Sequence, residues 1–150
     1  MLNKINYQFF SLFNIGKLPA SGTFGSLFTI FFYYLIQSHI GIFIHVLIIV
    51  LATFYSLHFL NETLKSFKSK DPKEIVIDEF IGQLIPLMVC GNNLILIFLS
   101  FIIFRIFDIS KLFPANIFDK KIKGALGIIG DDIIAGIYSL IVVYFIKLNL

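Results

Sequence analysis

The stretch IDEFIGQLIPLMVCGNNLILIFLSFIIFRIFD, residues 77–108, carries the key to the fold. Its middle, Phe80 to Phe104, runs 25 residues without Asp, Glu, Lys or Arg and is interrupted by Gly91-Asn92-Asn93. Gly and Asn mark turns, so the run reads as a helical hairpin rather than one long helix. Pro86 is expected to kink the first arm. With the turn centred near Asn92, Asp78 lies 14 residues before it and Arg105 lies 13 after it. At about 1.5 Å per residue both stand roughly 20 Å from the turn, so the hairpin carries acids and an arginine to one level.

Outward from the hairpin, the chain keeps the same character. Residues 18–61 hold no charged side chain across 44 positions, enough for two passes of about 20 residues each. Gly41, preceded by Ser38 and His39, is the natural turn between them. A charged segment from Glu62 to Glu79 carries Lys65, Lys68, Lys70 and Lys73, and Asp71-Pro72 has the form of a helix start. A basic loop runs from Lys111 to Lys123, and a last helix is expected from about Gly130 to Ile146. The chain is 58% hydrophobic and 14% charged, with a mean hydropathy of +0.93. Soluble domains are nearer 45–50% apolar and 25% charged, so an integral membrane protein fits best.

At 150 residues the chain is one domain, residues 1–150. The expected architecture is all-α: a membrane-associated bundle of about five to six helices, some short or half-inserted. Lysines cluster in the two loops at 65–73 and 111–123, while the turns near Gly41 and Asn92 are uncharged. The positive-inside rule puts those loops in the cytoplasm, and five passes leave Lys147 on the far side. The first twenty residues are too interrupted by Gln8, Ser11 and Asn14 for a signal peptide and read as a retained amphipathic arm. A net charge of +3 suits an anionic lipid surface. Nucleic acid is not expected as a partner, because no basic patch is interleaved with exposed aromatics.

The chemistry is carried by acids at the edges of apolar runs, where ionised groups are costly and point to function. Asp78 is followed by Gly82, and Asp132 by Gly136, each at i+4 on one helix face. A glycine one turn below an acid lets a neighbouring helix approach while the acid faces the gap. Arg105, Asp108 and Lys111 recur at i, i+3 and i+6. An arginine forks onto phosphate oxygens, and a carboxylate one turn away can hold a metal on the same phosphate. Lys17-Leu18-Pro19-Ala20-Ser21-Gly22-Thr23-Phe24-Gly25-Ser26 leads into the first apolar helix. Its free N–H groups, with Thr23 and Ser26, can cradle an anion or form an ordinary cap. Gly124-Ala125-Leu126-Gly127 implies either close backbone approach or a plain loop. The lone Cys90 lies in an apolar run and reads as packing, as do His39, His45 and His58.

Taken in order, four segments resemble the phosphatidylglycerophosphatase A family. They are Gly22-Thr23-x-Gly25-Ser26-Leu27, Ile75-Val76-x-Asp78-Glu79-Phe80-x-Gly82, Phe104-Arg105-x-x-Asp108-x-x-Lys111 and Gly127-Ile128-x-x-Asp131-Asp132-x-x-Ala135-Gly136. The likeness spans about residues 16–136. Ser21, Leu112 and Ala125 depart from it, where proline, proline and glycine are usual, which bears on loop stiffness rather than charge. The resemblance implies a magnesium-dependent phosphatase of the bacterial inner membrane, with a phospholipid substrate and a site facing the cytoplasm. It would cleave the phosphomonoester of phosphatidylglycerophosphate to give phosphatidylglycerol. Asp78, Glu79, Asp131 and Asp132 are then the catalytic set, and with Asp108 the candidate ligands for Mg2+. Arg105, Lys111, Thr23 and Ser26 are the candidate phosphate-binding residues. Rival readings are a phosphatase for another lipid or polyprenyl phosphate, and a membrane cation carrier. A carrier would hold its acids near mid-membrane and leave Arg105 and Lys111 without a role.

Overall fold

The computed structural model describes residues 2–69 and 72–150. Among these residues the chain is all-helical, with seven α-helices: α1 (Leu2–Phe10), α2 (Ser21–Ile36), α3 (Ile42–Leu64), α4 (Ile77–Leu87), α5 (Leu94–Ser110), α6 (Ala115–Lys121) and α7 (Ala125–Leu148). A 3-10 turn, Ile15–Lys17, lies between α1 and α2. The count is slightly above expectation, because the N-terminal arm and part of the basic loop fold into short helices. The arm does not stand apart: Phe10 is fully buried, and its carbonyl accepts the Val76 N–H at 2.9 Å.

The bundle is built around α4. Every residue from Phe80 through Leu87 is buried, as a helix without a polar face requires. Helices α7, α2, α5 and α3 all pack on it, α7 most extensively. With 11 residues it rises about 16 Å, roughly half the thickness of a hydrocarbon core. Asn93 explains where the return arm starts: its side chain accepts the Ile95 and Leu96 N–H groups as an N-cap of α5. Gly91 makes the turn at φ +54.

Two helix starts differ from the sequence reading. Asp71 lies outside the described residues, and α4 begins at Ile77 rather than at Pro72. The intervening residues turn instead, with Ile75 N–H donated to the Pro72 carbonyl at 3.0 Å. Helix α7 starts at Ala125, five residues before Gly130. There the Ala125 N–H is donated to Asn61 Oδ1 at 2.9 Å, a cap supplied from α3.

Helices α3 and α7 are long and apolar enough to cross a membrane, with 23 and 24 residues. Helix α2 is apolar but has 16 residues. Along α3, Phe43, Val50, Leu51 and Phe54 are exposed. Apolar faces of this kind suit a bilayer.

Candidate active site

Where α4 crosses α7, neither helix has room for a side chain. A Cβ on Gly136 would sit 2.5 Å from the Gly82 carbonyl oxygen, and one on Gly82 would sit 2.8 Å from the Asp132 carbonyl oxygen. Pro86 contributes to this contact. It has no N–H to return to Gly82, so the Gly82 carbonyl is left free of the helical ladder to face α7. One turn before each glycine stands its acid, Asp78 on α4 and Asp132 on α7. The backbone crossing therefore brings the two carboxylates together. The Phe104 ring also fills the space beside Gly82, which fixes α5 and the adjacent Arg105 against the same crossing.

Asp78, Glu79 and Asp132 each offer a carboxylate oxygen, and these oxygens lie within 4.8 Å of one another. Three acidic oxygens around so small a gap fit a divalent cation that prefers oxygen ligands, as magnesium does. Two further observations agree with that fit. Glu79 Oε2 and Asp132 Oδ2 are buried without a hydrogen-bond partner, and unsatisfied carboxylate oxygens are costly. Burial raises the Glu79 carboxyl to about 6; the Asp78 hydrogen bond and Arg105 act against the rise and Asp108 adds to it.

Asp131 and Asp108 stand beside the triad rather than in it. Lys111 Nζ is ion-paired with Asp131, and it lies 3.4 Å from Asp108 Oδ1 and 3.9 Å from Asp132 Oδ1. Burial acts to lower the Lys111 ammonium, but Asp132, Asp131 and Asp108 outweigh it and hold the group above its ordinary value. Lys111 ends α5 in the left-handed region, φ 46, a conformation that costs a non-glycine residue about 1–2 kcal/mol. Arg105 Nη1 bonds Asp108 Oδ2 at 2.5 Å and lies 4.0 Å from Glu79 Oε1. Its Nε is buried with no hydrogen-bond partner.

The start of α2 closes one side. Ser21, Gly22 and Thr23 line a cavity of about 830 Å³ together with Glu79 and Arg105. A Cβ on Gly22 would overlap the Glu79 carboxylate and meet Arg105 Nη1 at 3.0 Å, so glycine lets this turn touch the charges without displacing either side chain. Thr23 thus stands at the cavity. Ser26 does not: it is buried and donates its hydroxyl to the Gly22 carbonyl at 3.0 Å. The Gly124–Gly127 turn proves to be a close approach, since a Cβ on Gly127 would overlap the Ile122 carbonyl. Asn61 is a positioning residue that sequence reasoning missed. It caps the helix carrying Asp131 and Asp132 from 64 positions away, and no local pattern announces such a contact.

The fold is all-helical, two of its helices are long and apolar enough to cross a membrane, and it holds a carboxylate triad beside an arginine. Residues 8–147 match the family Phosphatidylglycerophosphatase A, and the chain belongs to that family. It is 37% identical to Phosphatidylglycerophosphatase A of Escherichia coli K12, over 89% of this chain and 78% of that protein. Identity to Phosphatidylglycerophosphatase A of Haemophilus influenzae is 35%, over 86% and 80%. A Bacteroides thetaiotaomicron protein provisionally named a phosphatidylinositol-3-phosphatase is 34% identical, over 87% and 86%. No solved structure matches the chain.

Proposed function

We propose that the protein hydrolyses the phosphomonoester of phosphatidylglycerophosphate, giving phosphatidylglycerol and inorganic phosphate, at a magnesium site formed by Asp78, Glu79 and Asp132. The carrying observation is the triad itself, three acidic oxygens within 4.8 Å one ion-pair distance from Arg105. A magnesium ion there would supply positive charge against which the transferring phosphoryl group is stabilised. The protein's own groups do the rest. Arg105, oriented by Asp108, donates to the phosphoryl oxygens as a planar fork. The α2 start, through Gly22 and Thr23, lines the cavity on the Glu79 side. Asp131 lines the cavity beside the triad without belonging to it, which suits the base that takes a proton from the attacking water. Lys111 holds Asp131 in that position.

A lipid substrate accounts for a charged site in so apolar a chain: the acyl chains remain in the bilayer while the headgroup reaches the acids. The site is assigned to the cytoplasmic face of a bacterial inner membrane, crossed more than once, on the lysine content of the loops at 65–73 and 111–123. A second reading, another lipid phosphomonoester, is favoured by the relative provisionally named for phosphatidylinositol-3-phosphate. Phosphate release by purified protein against a panel of lipid and polyprenyl phosphates separates them. Preference for phosphatidylglycerophosphate is expected, and equal or greater turnover of another member would replace it as substrate.

A further inference from the structure

The acids open onto two cavities, not one. Consecutive helix residues point about 100° apart, and Asp78 and Glu79 are consecutive. Glu79 lines the cavity at the α2 start with Arg105. Asp78 lines a different one of about 510 Å³, with Lys111 and Asp131, between the end of α3, the end of α6 and the start of α7. A volume of this size lies in the range of small-ligand sites.

This second cavity is lined by Lys65, Lys68, Lys120 and Lys123 in addition to Lys111, against the three aspartates Asp78, Asp119 and Asp131. All four of the outer lysines are exposed, and Lys65 is already paired with Glu62 at 2.6 Å, so it adds least. Lys68, Lys120 and Lys123 come from two separate segments, yet converge on one opening. Gly124 and Gly127 of the α7 start also line it, so the positive end of that helix dipole adds to the lysines. Among these lysines the catalytic reading uses Lys111 alone.

We propose that this cavity is a second anion subsite, formed by Lys68, Lys120 and Lys123, which takes a phosphate-type group while the acids and Arg105 hold the phosphoryl group being cleaved. Two sources share that chemistry: the phosphodiester that the lipid headgroup retains, and the inorganic phosphate that hydrolysis releases. This inference rests on the lipid phosphatase reading for its biological sense, but its binding test does not.

The test uses the full chain in detergent micelles and the variant carrying K68Q, K120Q and K123Q together, with the corresponding triple Lys→Arg variant as its charge-preserving partner. Binding of radiolabelled inorganic phosphate is measured in EDTA, where no cation at the triad can recruit it. KM is measured for phosphatidylglycerophosphate and for phosphatidic acid, which lacks the diester, together with inhibition by added phosphate. Loss of phosphate binding and of product inhibition by tenfold or more, restored by arginine, assigns the subsite to released phosphate. A tenfold rise in KM for phosphatidylglycerophosphate alone, restored by arginine, assigns it to the diester. Unchanged binding together with an unchanged ratio of the two KM values overturns the subsite. A wild-type protein inactive on every lipid would instead overturn the proposed function, and the phosphate-binding result would still decide the subsite.

Discussion

The Gly82 carbonyl lies against Gly136, so closely that a Cβ on Gly136 would stand 2.5 Å from the oxygen. This contact between α4 and α7 sets the separation of Asp78 and Asp132, each one turn before its glycine. Substituting Gly136 with Ala should therefore cost about 1–3 kcal/mol, because the obstacle is backbone and cannot swing away. Turnover should fall further than stability alone explains, as the triad opens. Thermal unfolding and phosphate release on the same preparation check this. A Gly136→Ala protein with wild-type melting and turnover would show that the crossing does not set the site.

Asp78→Asn and Asp132→Asn keep side-chain volume and remove charge. Activity should drop by orders of magnitude while the helical content is retained. In EDTA the variants should be as stable as the wild type or more so, since like charges no longer face one another. Normal turnover by either variant would leave these acids as structural charges.

Arg105→Lys preserves the charge but not the planar fork. A fall in kcat/KM of at least tenfold is expected, and the Asp108 partnership at 2.5 Å should not rescue it. Cys90→Ala and His58→Gln serve as controls. Cys90 is buried with Sγ donated to the Pro86 carbonyl, and His58 packs edge-on against Phe59, so turnover should stay near wild type in both.

Much of this site was legible in the sequence because it rests on local geometry. The i+4 spacings of Asp78 with Gly82 and of Asp132 with Gly136 foretold a close crossing, and Gly91-Asn92-Asn93 foretold the hairpin turn. The division of labour among the acids was not legible. Asp131 and Asp132 are neighbours in sequence, but a helix turns them about 100° apart, so Asp132 joins the triad and Asp131 goes to Lys111. Ser26 offered a hydroxyl to phosphate on paper, yet a helical serine can return it to the carbonyl four residues back, and this one does. The early start of α7 depends on Asn61, which belongs to another helix.

The Glu79 carboxyl, raised from 4.5 to about 6 chiefly by burial, gives a pH signature. A folded-state value above the unfolded one means that the folded protein binds the proton more tightly. The associated stability is fully present below pH 4.5 and is lost as pH rises through about 6. The loss amounts to about 2 kcal/mol at most. In EDTA, the melting temperature of the wild type should fall across this interval more than that of Glu79→Gln. Parallel pH profiles for the two proteins would contradict the assignment.

The central claim is that a divalent cation held by Asp78, Glu79 and Asp132 serves the cleavage of a lipid phosphomonoester. Its most direct test is phosphate release from phosphatidylglycerophosphate by the purified protein, first in EDTA and then with magnesium added back. Release should stop in EDTA and return with magnesium in the wild type, but not in Asp132→Asn. Full activity in EDTA would contradict the account.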